Sequence, residues 1–371
     1  MEGAGRQRSA RVPLRPIHLW LGLSLGLLFA LAGLTGSVLV FYTEIDNALV
    51  PALRAVPADA KPSSWQAVYD RLRQDYPERT GAWRIEVRPD GGPVPVRYYA
   101  PVETRDRAFA PLMLWLDPRD LRTIRAGFWG EYPTTWIYAL HWQLLSGTTG
   151  EVVMGIAGVA MLAMLVTGLV AWWPRSGQWR RALHWKPRAA IVRRLYDVHK
   201  LAGVTGFAML IVVTTTGIML ELPNQVRPAI GSVSPLFVTR KLSVQPQPGR
   251  RLPLDALVMR GRSLFPDSEL AWIETPASPS APVRVNLWQP GEPSRRFPRT
   301  NVWLDPSTGA VLALRDGRQE SAGDIMLNWL HPLHGGEALG MIGRVLVLLS
   351  GLAAVTLAAT GWWRWLARRK R

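Results

Sequence analysis

Residues Leu19–Thr43 read LWLGLSLGLLFALAGLTGSVLVFYT, 25 positions without a charged side chain. A helix needs about 20 apolar residues to cross a hydrocarbon layer of roughly 30 Å, so this stretch alone is long enough to span. Working outward from it, three more uncharged windows appear: Val152–Trp173 (22 residues), Leu201–Leu220 (20) and Val345–Trp363 (19). Four such windows in 371 residues exclude an ordinary soluble protein. The chain has no cysteine, which excludes disulfides, thiolate-held iron–sulfur clusters, cysteine zinc sites and covalently attached c-type haem.

The net charge of +17 locates itself once the spans are drawn. Arg6, Arg8, Arg11 and Arg15 precede the first span. Arg175, Arg180, Arg181, Lys186, Arg188, Arg193, Arg194 and Lys200 lie between the second and third, and Arg364, Arg368, Arg369, Lys370 and Arg371 follow the fourth. Only Glu2 and Asp197 offset them, so nearly all the excess sits on one membrane side, which the positive-inside rule makes cytoplasmic. The basic balance is thus a topology signal, and no nucleic-acid partner is expected. The expected order is a cytoplasmic N-terminus (1–16), spans at 17–43, 151–173, 199–220 and 341–363, a basic cytoplasmic loop at 174–198 and a basic tail at 364–371. Two large loops, 44–150 and 221–340, are expected on the outer side. The first span is expected to be a retained anchor, since no small-residue cleavage site follows it.

Internal similarity shapes the rest. Leu114-Trp115-Leu116-Asp117-Pro118 matches Val302-Trp303-Leu304-Asp305-Pro306 at a shift of 188, and Leu140-His141 and Trp172-Trp173 match Leu330-His331 and Trp362-Trp363 at 190. His18, Gly22, Thr35 and Gly36 match His199, Gly203, Thr216 and Gly217 at 181, whereas Thr167-Gly168 and Thr360-Gly361 are 193 apart. The chain reads as two copies of helix, outer domain, helix, related by a pseudo-twofold axis along the membrane normal, with four helices in one bundle. Each outer loop reads as a small α+β domain. A helix at 64–76 precedes strands at 83–87, 94–99 and 112–116; a helix near 254–264 precedes strands at 270–274, 283–288 and 301–304.

Six histidines carry the chemistry. His18 and His199 fall at the cytoplasmic ends of the first and third spans, and His141 and His331 on the outer side before the second and fourth. His334 is an extra residue opposite Leu144 in the first copy, and His184 lies in the basic loop. A twofold axis makes equivalent positions face one another, and two opposed neutral imidazoles are what a six-coordinate b-type haem requires. His18 and His141 lie on opposite membrane sides, roughly 30 Å apart, so they cannot share an iron. The expected pairs are His18 with His199, and His141 with His331 or His334. Gly22 and Gly203, one turn from the inner histidines, leave room for a porphyrin or else serve close helix packing. A bare metal site of His141, His331 and His334 remains a rival. Arg344 is a candidate for a haem carboxylate, with snorkelling the plainer alternative. The intramembrane threonines Thr214–Thr216, Thr356 and Thr360 read as packing or backbone-bonding residues, and the paired tryptophans as aromatic belts.

Arg15-x-x-His18-x-x-x-Gly22, Leu140-His141-x-x-Leu144-x-x-Gly147, Gly168-x-x-x-Trp172-Trp173-Pro174-Arg175 and Tyr196-Asp197-Val198-His199-Lys200-Leu201-x-Gly203 together resemble the PepSY-associated transmembrane proteins of bacterial inner membranes. The resemblance covers almost the whole chain. It implies PepSY-like periplasmic domains and, by likeness to iron-chelate reductases such as the ferrioxamine siderophore reductase, two haems b held by His18, His199, His141 and His331. It further implies an oxidoreductase that passes electrons from a cytoplasmic reductase or the quinol pool to a ferric siderophore. The donor is expected to lie outside the chain, because no glycine-rich strand–helix signal for a flavin or nicotinamide fold is present. A haem-free anchor or regulatory module, and an iron or siderophore transporter subunit, are the competing expectations.

Overall fold

A computed structural model describes residues 14–247, 249 and 251–369; Arg6, Arg8, Arg11, Lys370 and Arg371 of the expected inner charge lie outside them. The first half of the chain runs from α1 (Leu14–Leu39) through α2 (Tyr42–Leu49) and α3 (Pro51–Arg54) to α4 (Trp65–Asp75). Strands β1 (Trp83–Glu86), β2 (Val94–Tyr98), β3 (Leu112–Leu116) and β4 (Thr123–Phe128) follow, then α5 (Pro133–Gln143) and α6 (Gly147–Trp172). After a short α7 (Trp179–Leu183), the second half opens with α8 (Ile191–Glu221), α9 (Pro223–Gly231) and α10 (Leu254–Ser263). It continues with β5 (Glu269–Glu274), β6 (Val283–Trp288), β7 (Thr300–Leu304) and β8 (Val311–Arg315), and closes with α11 (Ala322–His334) and α12 (Gly340–Arg369). The chain divides into two compact units, one of long helices and one built around a sheet.

In the helical unit, α1, α6, α8 and α12 are each long and apolar enough to cross a membrane. Helix is the form such segments must take, because hydrocarbon offers no partner for a free peptide group. Both α8 and α12 run past the uncharged windows into basic sequence, where long Arg and Lys stems can lie on apolar surface while their charges reach water. Each long helix packs on two neighbours: α1 on α6 and α12, and α8 on the same two, so α1 and α8 stand across the bundle from each other. The tightest of these crossings involves neither Gly22 nor Gly203. A Cβ on Gly33 of α1 would lie 2.7 Å from the carbonyl oxygen of Gly351 in α12, and Ser37 donates to the Leu348 carbonyl at 3.0 Å. Small residues here let two backbones approach and exchange a hydrogen bond, the membrane form of close packing.

In the other unit, the two outer loops, expected as two small domains, build one antiparallel sheet of eight strands in the order β4-β3-β2-β1-β5-β6-β7-β8. The first strands of the two meanders pair at the centre, with Arg84 opposite Glu274, Ile85 opposite Ile273 and Glu86 opposite Trp272. One face is apolar: Ile85, Val96, Leu114, Ile273, Val285, Leu287 and Leu304 are fully buried against Val68 and Leu72 of α4 and Leu257 of α10. The opposite face carries arginine stacked on aromatic rings, with the Arg84 guanidinium 3.6 Å from the Trp272 ring centre and Arg125 3.5 Å from that of Tyr132. The edge strands β4 and β8 were not expected from the sequence. Neither buries a residue fully, so neither shows the inside–outside alternation that marks a half-buried strand.

The two helices on this sheet cap each other. Asp255 of α10 accepts from the backbone N–H groups of Trp65 and Gln66 at 2.9 and 3.0 Å and from the Ser64 hydroxyl at 2.6 Å. Gln66 in turn accepts from the Leu254 N–H at 2.9 Å, so open donors at both helix starts are satisfied. Burial opposes ionisation of Asp255, but these hydrogen bonds outweigh it and hold the carboxyl below its usual range. The Asp255→Ala variant is expected to lose about 1–3 kcal/mol of stability at neutral pH. A depressed carboxyl stabilises above its unfolded value of about 3.9 and stops doing so as pH falls through the lower folded value. Thermal melts of wild type and variant should therefore converge below about pH 4. A gap unchanged at acid pH would show that the carboxylate is not the stabilising group.

Candidate functional site

Two pairs of histidines meet inside the helical unit. His18 of α1 and His199 of α8 face each other with ring centres 6.1 Å apart and planes at 83°. His141 of α5 and His334 of α11 are also 6.1 Å apart, with planes at 50°. The inner pair is the one expected from the sequence. In the outer pair, the ring brought to His141 is that of His334, whereas His331 lies one turn earlier on α11. Among the described residues, no three histidine, aspartate or glutamate side chains converge on one point, so the bare site of His141, His331 and His334 does not form.

Each imidazole is held in the same way by a neighbouring helix. His18 Nδ1 donates to the Met164 carbonyl of α6 at 3.0 Å, and His199 Nδ1 to the Leu357 carbonyl of α12 at 3.1 Å with the Thr360 hydroxyl at 3.0 Å. His334 Nδ1 donates to the Val213 carbonyl of α8 at 2.9 Å with the Thr216 hydroxyl at 3.2 Å. His141 Nδ1 lies 3.0 Å from the hydroxyl of Thr35 in α1, which itself donates to the Leu31 carbonyl and so accepts from the ring. A carbonyl can only accept, so Nδ1 carries the proton and Nε2 is left with its lone pair. That is the tautomer a metal-ligating histidine needs, fixed by the partner of its other nitrogen.

The glycine after each threonine makes the space. An added Cβ would lie 2.7 Å from His18 Cε1 at Gly168 and 3.5 Å from His199 Cε1 at Gly361. At Gly36 it would lie 3.0 Å from His141 Cε1, and at Gly217 3.0 Å from His334 Cε1. The site is thus four Thr-Gly dipeptides, each lodging one ring. Gly22 and Gly203 lodge no imidazole: a Cβ there would make only ordinary contacts, 3.8 Å to Met164 and 3.5 Å to Leu357. Thr216 and Thr360 do bond backbone carbonyls, as expected, and together with Thr35 also stand at imidazole nitrogens, which was not.

Sharp reversals of the chain aim the outer histidines. Leu144 and Leu145 have φ of 49° and 57° and Gly147 has φ of 59°, so α5 is broken from α6 rather than continuing into it. Gly336 and Gly340, with φ of 81° and 58°, separate α11 from α12 in the same manner. Left-handed backbone is natural for glycine and costs energy at leucine, so the turn after His141 is held against local preference. The Arg344 side chain is engaged at this end: Nε and Nη2 donate to the Val40 carbonyl at 3.2 and 2.7 Å, closing the end of α1, and the guanidinium lies 4.3 Å from the Phe41 ring centre.

Two imidazoles sharing a metal through Nε2 have ring centres about 6 Å apart, from two bonds of about 2.0 Å and about 1.1 Å from each nitrogen to its ring centre. Both pairs match that distance, no third histidine, aspartate or glutamate among the described residues joins either, and each ring already has an oxygen at Nδ1. The donor set fits an iron whose other four positions come from a porphyrin. In the sheet unit, a cleft of about 470 Å³ is lined by Trp65, Leu270, Lys61, Arg88 and Arg262 among others.

Comparison with known proteins places these features in a family. An uncharacterized protein of Pseudomonas aeruginosa is 26% identical to the chain over 250 residues, which cover 62% of each sequence. The chain thus spans somewhat less than two thirds of that relative's length. The family described as PepSY-associated TM region matches residues 15–368, a range that takes in all four apolar helices and both histidine pairs. The protein is a multi-pass membrane protein with a β-rich domain, and it belongs to the PepSY-associated TM region family.

Proposed function

We propose that the protein is a di-haem b electron-transfer protein of a bacterial inner membrane that reduces ferric siderophores or related iron chelates on the outer side. The observation that carries this reading is the two imidazole pairs, each with ring centres 6.1 Å apart and with Nδ1 of every ring at an oxygen of a neighbouring helix. His18 and His199 would hold the inner haem, His141 and His334 the outer. Bound there, the haems would supply one-electron chemistry, taking electrons from a cytoplasmic reductase or quinol and delivering them to a ferric chelate, whose iron is held less tightly once reduced. The chain's own part is to fix tautomers, to keep the rings opposed and to exclude water. His18 and Gly36 are separated by 18 residues of α1, about 27 Å of helical rise, which puts the two pairs near opposite faces of a hydrocarbon layer of about 30 Å.

The duplication expected from the sequence belongs to the same reading. It is supported by a strand order that runs outward from β1 and β5, and by the reciprocal capping of Gln66 and Asp255, 189 residues apart. It is supported too by a constant spacing of 193 between His141 and His334, Gly147 and Gly340, Gly150 and Gly343, and Gly168 and Gly361. Charge orients the bundle: Arg175, Arg180, Arg181, Lys186, Arg188 and Arg194 in the loop between α6 and α8, and early in α8, put the inner pair at the cytoplasmic face.

Absorption spectra of the purified, detergent-solubilised protein, oxidised and then dithionite-reduced, test the reading, with haem measured per chain. A Soret shift with sharp α and β bands and about two haems per chain is expected of bis-histidine sites. A colourless protein from haem-replete cells would refute it. Ring orientation gives a second expected result. Near-perpendicular axial rings leave two iron d orbitals almost degenerate, so the inner centre should give a highly anisotropic low-spin EPR signal and the outer one, tilted at 50°, a more rhombic one. Two identical rhombic signals would contradict the geometry at His18 and His199.

A further inference from the structure

We propose that Arg364, acting with the cations around Tyr196, is the binding site for the carboxylates of the inner haem; this rests on the haem reading above. The Tyr196 ring is surrounded by cations: the Arg364 guanidinium at 4.7 Å from its centre, Arg193 at 5.3 Å and Lys200 Nζ at 5.7 Å. Tyr196 stands three residues before His199 on α8, and Arg364 three residues after Gly361, the glycine that lodges the His199 ring. Arg364 is within electrostatic reach of His199, and also of Arg15, Arg193 and Arg368.

The acids nearby do not balance this charge. Asp197, fully buried, takes Lys200 at 2.8 Å and Arg193 at 3.2 Å, and Lys200 completes its bonding at the His184 carbonyl, 2.9 Å away. That carboxylate is spent on two cations and on the Lys186 N–H. Arg364 has no ion pair among the described residues, and its half-buried guanidinium keeps a buried Nε without a hydrogen-bond partner. Three cations around one ring against one carboxylate leave two positive charges in excess at this end of the bundle. Such a cluster calls for a dianion. Haem b carries two carboxylates, and a guanidinium suits a carboxylate better than an ammonium does because it presents two parallel N–H groups. The inner end of the bundle thus supplies an iron site on α1 and α8 and, beside His199, a carboxylate site on α8 and α12.

The test uses the full-length protein, stripped of haem and reloaded either with haem or with iron protoporphyrin dimethyl ester, which lacks the anionic groups. The inner centre is identified as the one lost in His199→Ala. Wild type should hold the ester at the inner site on the order of tenfold more weakly than haem, while the outer site discriminates less. Arg364→Gln should bring the two porphyrins to equal retention and lower the inner midpoint potential, and Arg364→Lys should recover part of both. The ester comparison in wild type needs no mutant, so a poorly folded variant does not spoil the test. A haem-loaded protein whose inner site retains both porphyrins equally, or an Arg364→Gln variant that sheds only a bound anionic phospholipid, overturns the assignment alone. A wild type that binds neither porphyrin overturns the haem reading and this assignment with it.

Discussion

On the di-haem reading proposed above, replacing His334 by alanine should leave about one haem per chain in place of about two, while His331→Ala should keep both. The sequence around them, His331-Pro-Leu-His334, offers two candidates three residues apart, and on a helix both lie near one face. Geometry separates them. The His334 ring stands 6.1 Å from that of His141, its Nδ1 donates to Val213 at 2.9 Å, and Gly217 opposite has no side chain to fill its place. Alanine at 334 would remove one of the two ligands proposed for the outer haem, so that centre should be lost or become five-coordinate, with a broadened Soret band and high-spin features. Haem quantified per chain, with spectra of both oxidation states, reads the result. The reverse outcome, loss at 331 and retention at 334, would show that α11 turns by about 60° and slides by about 4.5 Å when the site is filled.

The choice between those two histidines was present in the sequence and hidden by the way its repeats are aligned. Leu140-His141 and Trp172-Trp173 favour a shift of 190, which pairs His141 with His331. The Thr-Gly dipeptides at 167 and 360 demand 193, and that shift carries His141 onto His334. Short apolar words such as Leu-His or Trp-Trp recur easily in membrane helices, whereas a Thr-Gly that must meet an imidazole is fixed by contact. The four spans were legible because length and lack of charge suffice to define them. The inner pair was legible because His18 and His199 stand 18 residues before Gly36 and Gly217 alike. The imidazole cradles were not, since Thr205-Gly206 also lies within a span and lodges none of the four paired rings; only packing tells which glycine has a ring against it. The single eight-stranded sheet was likewise beyond reach, because the pairing of β1 with β5 joins residues about 188 positions apart, and neither strand's local pattern states its partner.

Four glycine-to-alanine variants should divide according to the distance a methyl group would have to the ring beside it. At Gly168 that methyl lies 2.7 Å from His18 Cε1 and 3.0 Å from its Nδ1, closer than atoms can approach, so either the ring or the helix must move. The ring cannot yield freely, being held to the Met164 carbonyl one turn away on the same helix. At Gly361 the corresponding gap is 3.5 Å, an ordinary contact, and at Gly36 and Gly217 it is 3.0 Å. Alanine is the better helix former by about 0.5–1 kcal/mol, so a variant that leaves the ring undisturbed should gain stability. The signs are therefore expected to differ: Gly361→Ala keeps its haem and melts slightly higher, whereas Gly168→Ala loses inner haem on the order of tenfold or more. Gly36→Ala and Gly217→Ala should fall between, each acting on the outer centre. Haem occupancy at each centre and melting temperature, measured side by side, separate a displaced ligand from a general weakening of the bundle. If Gly168→Ala and Gly361→Ala behaved alike, the glycines would be serving helix packing alone, and the cradle would lose its claim to position the ligands.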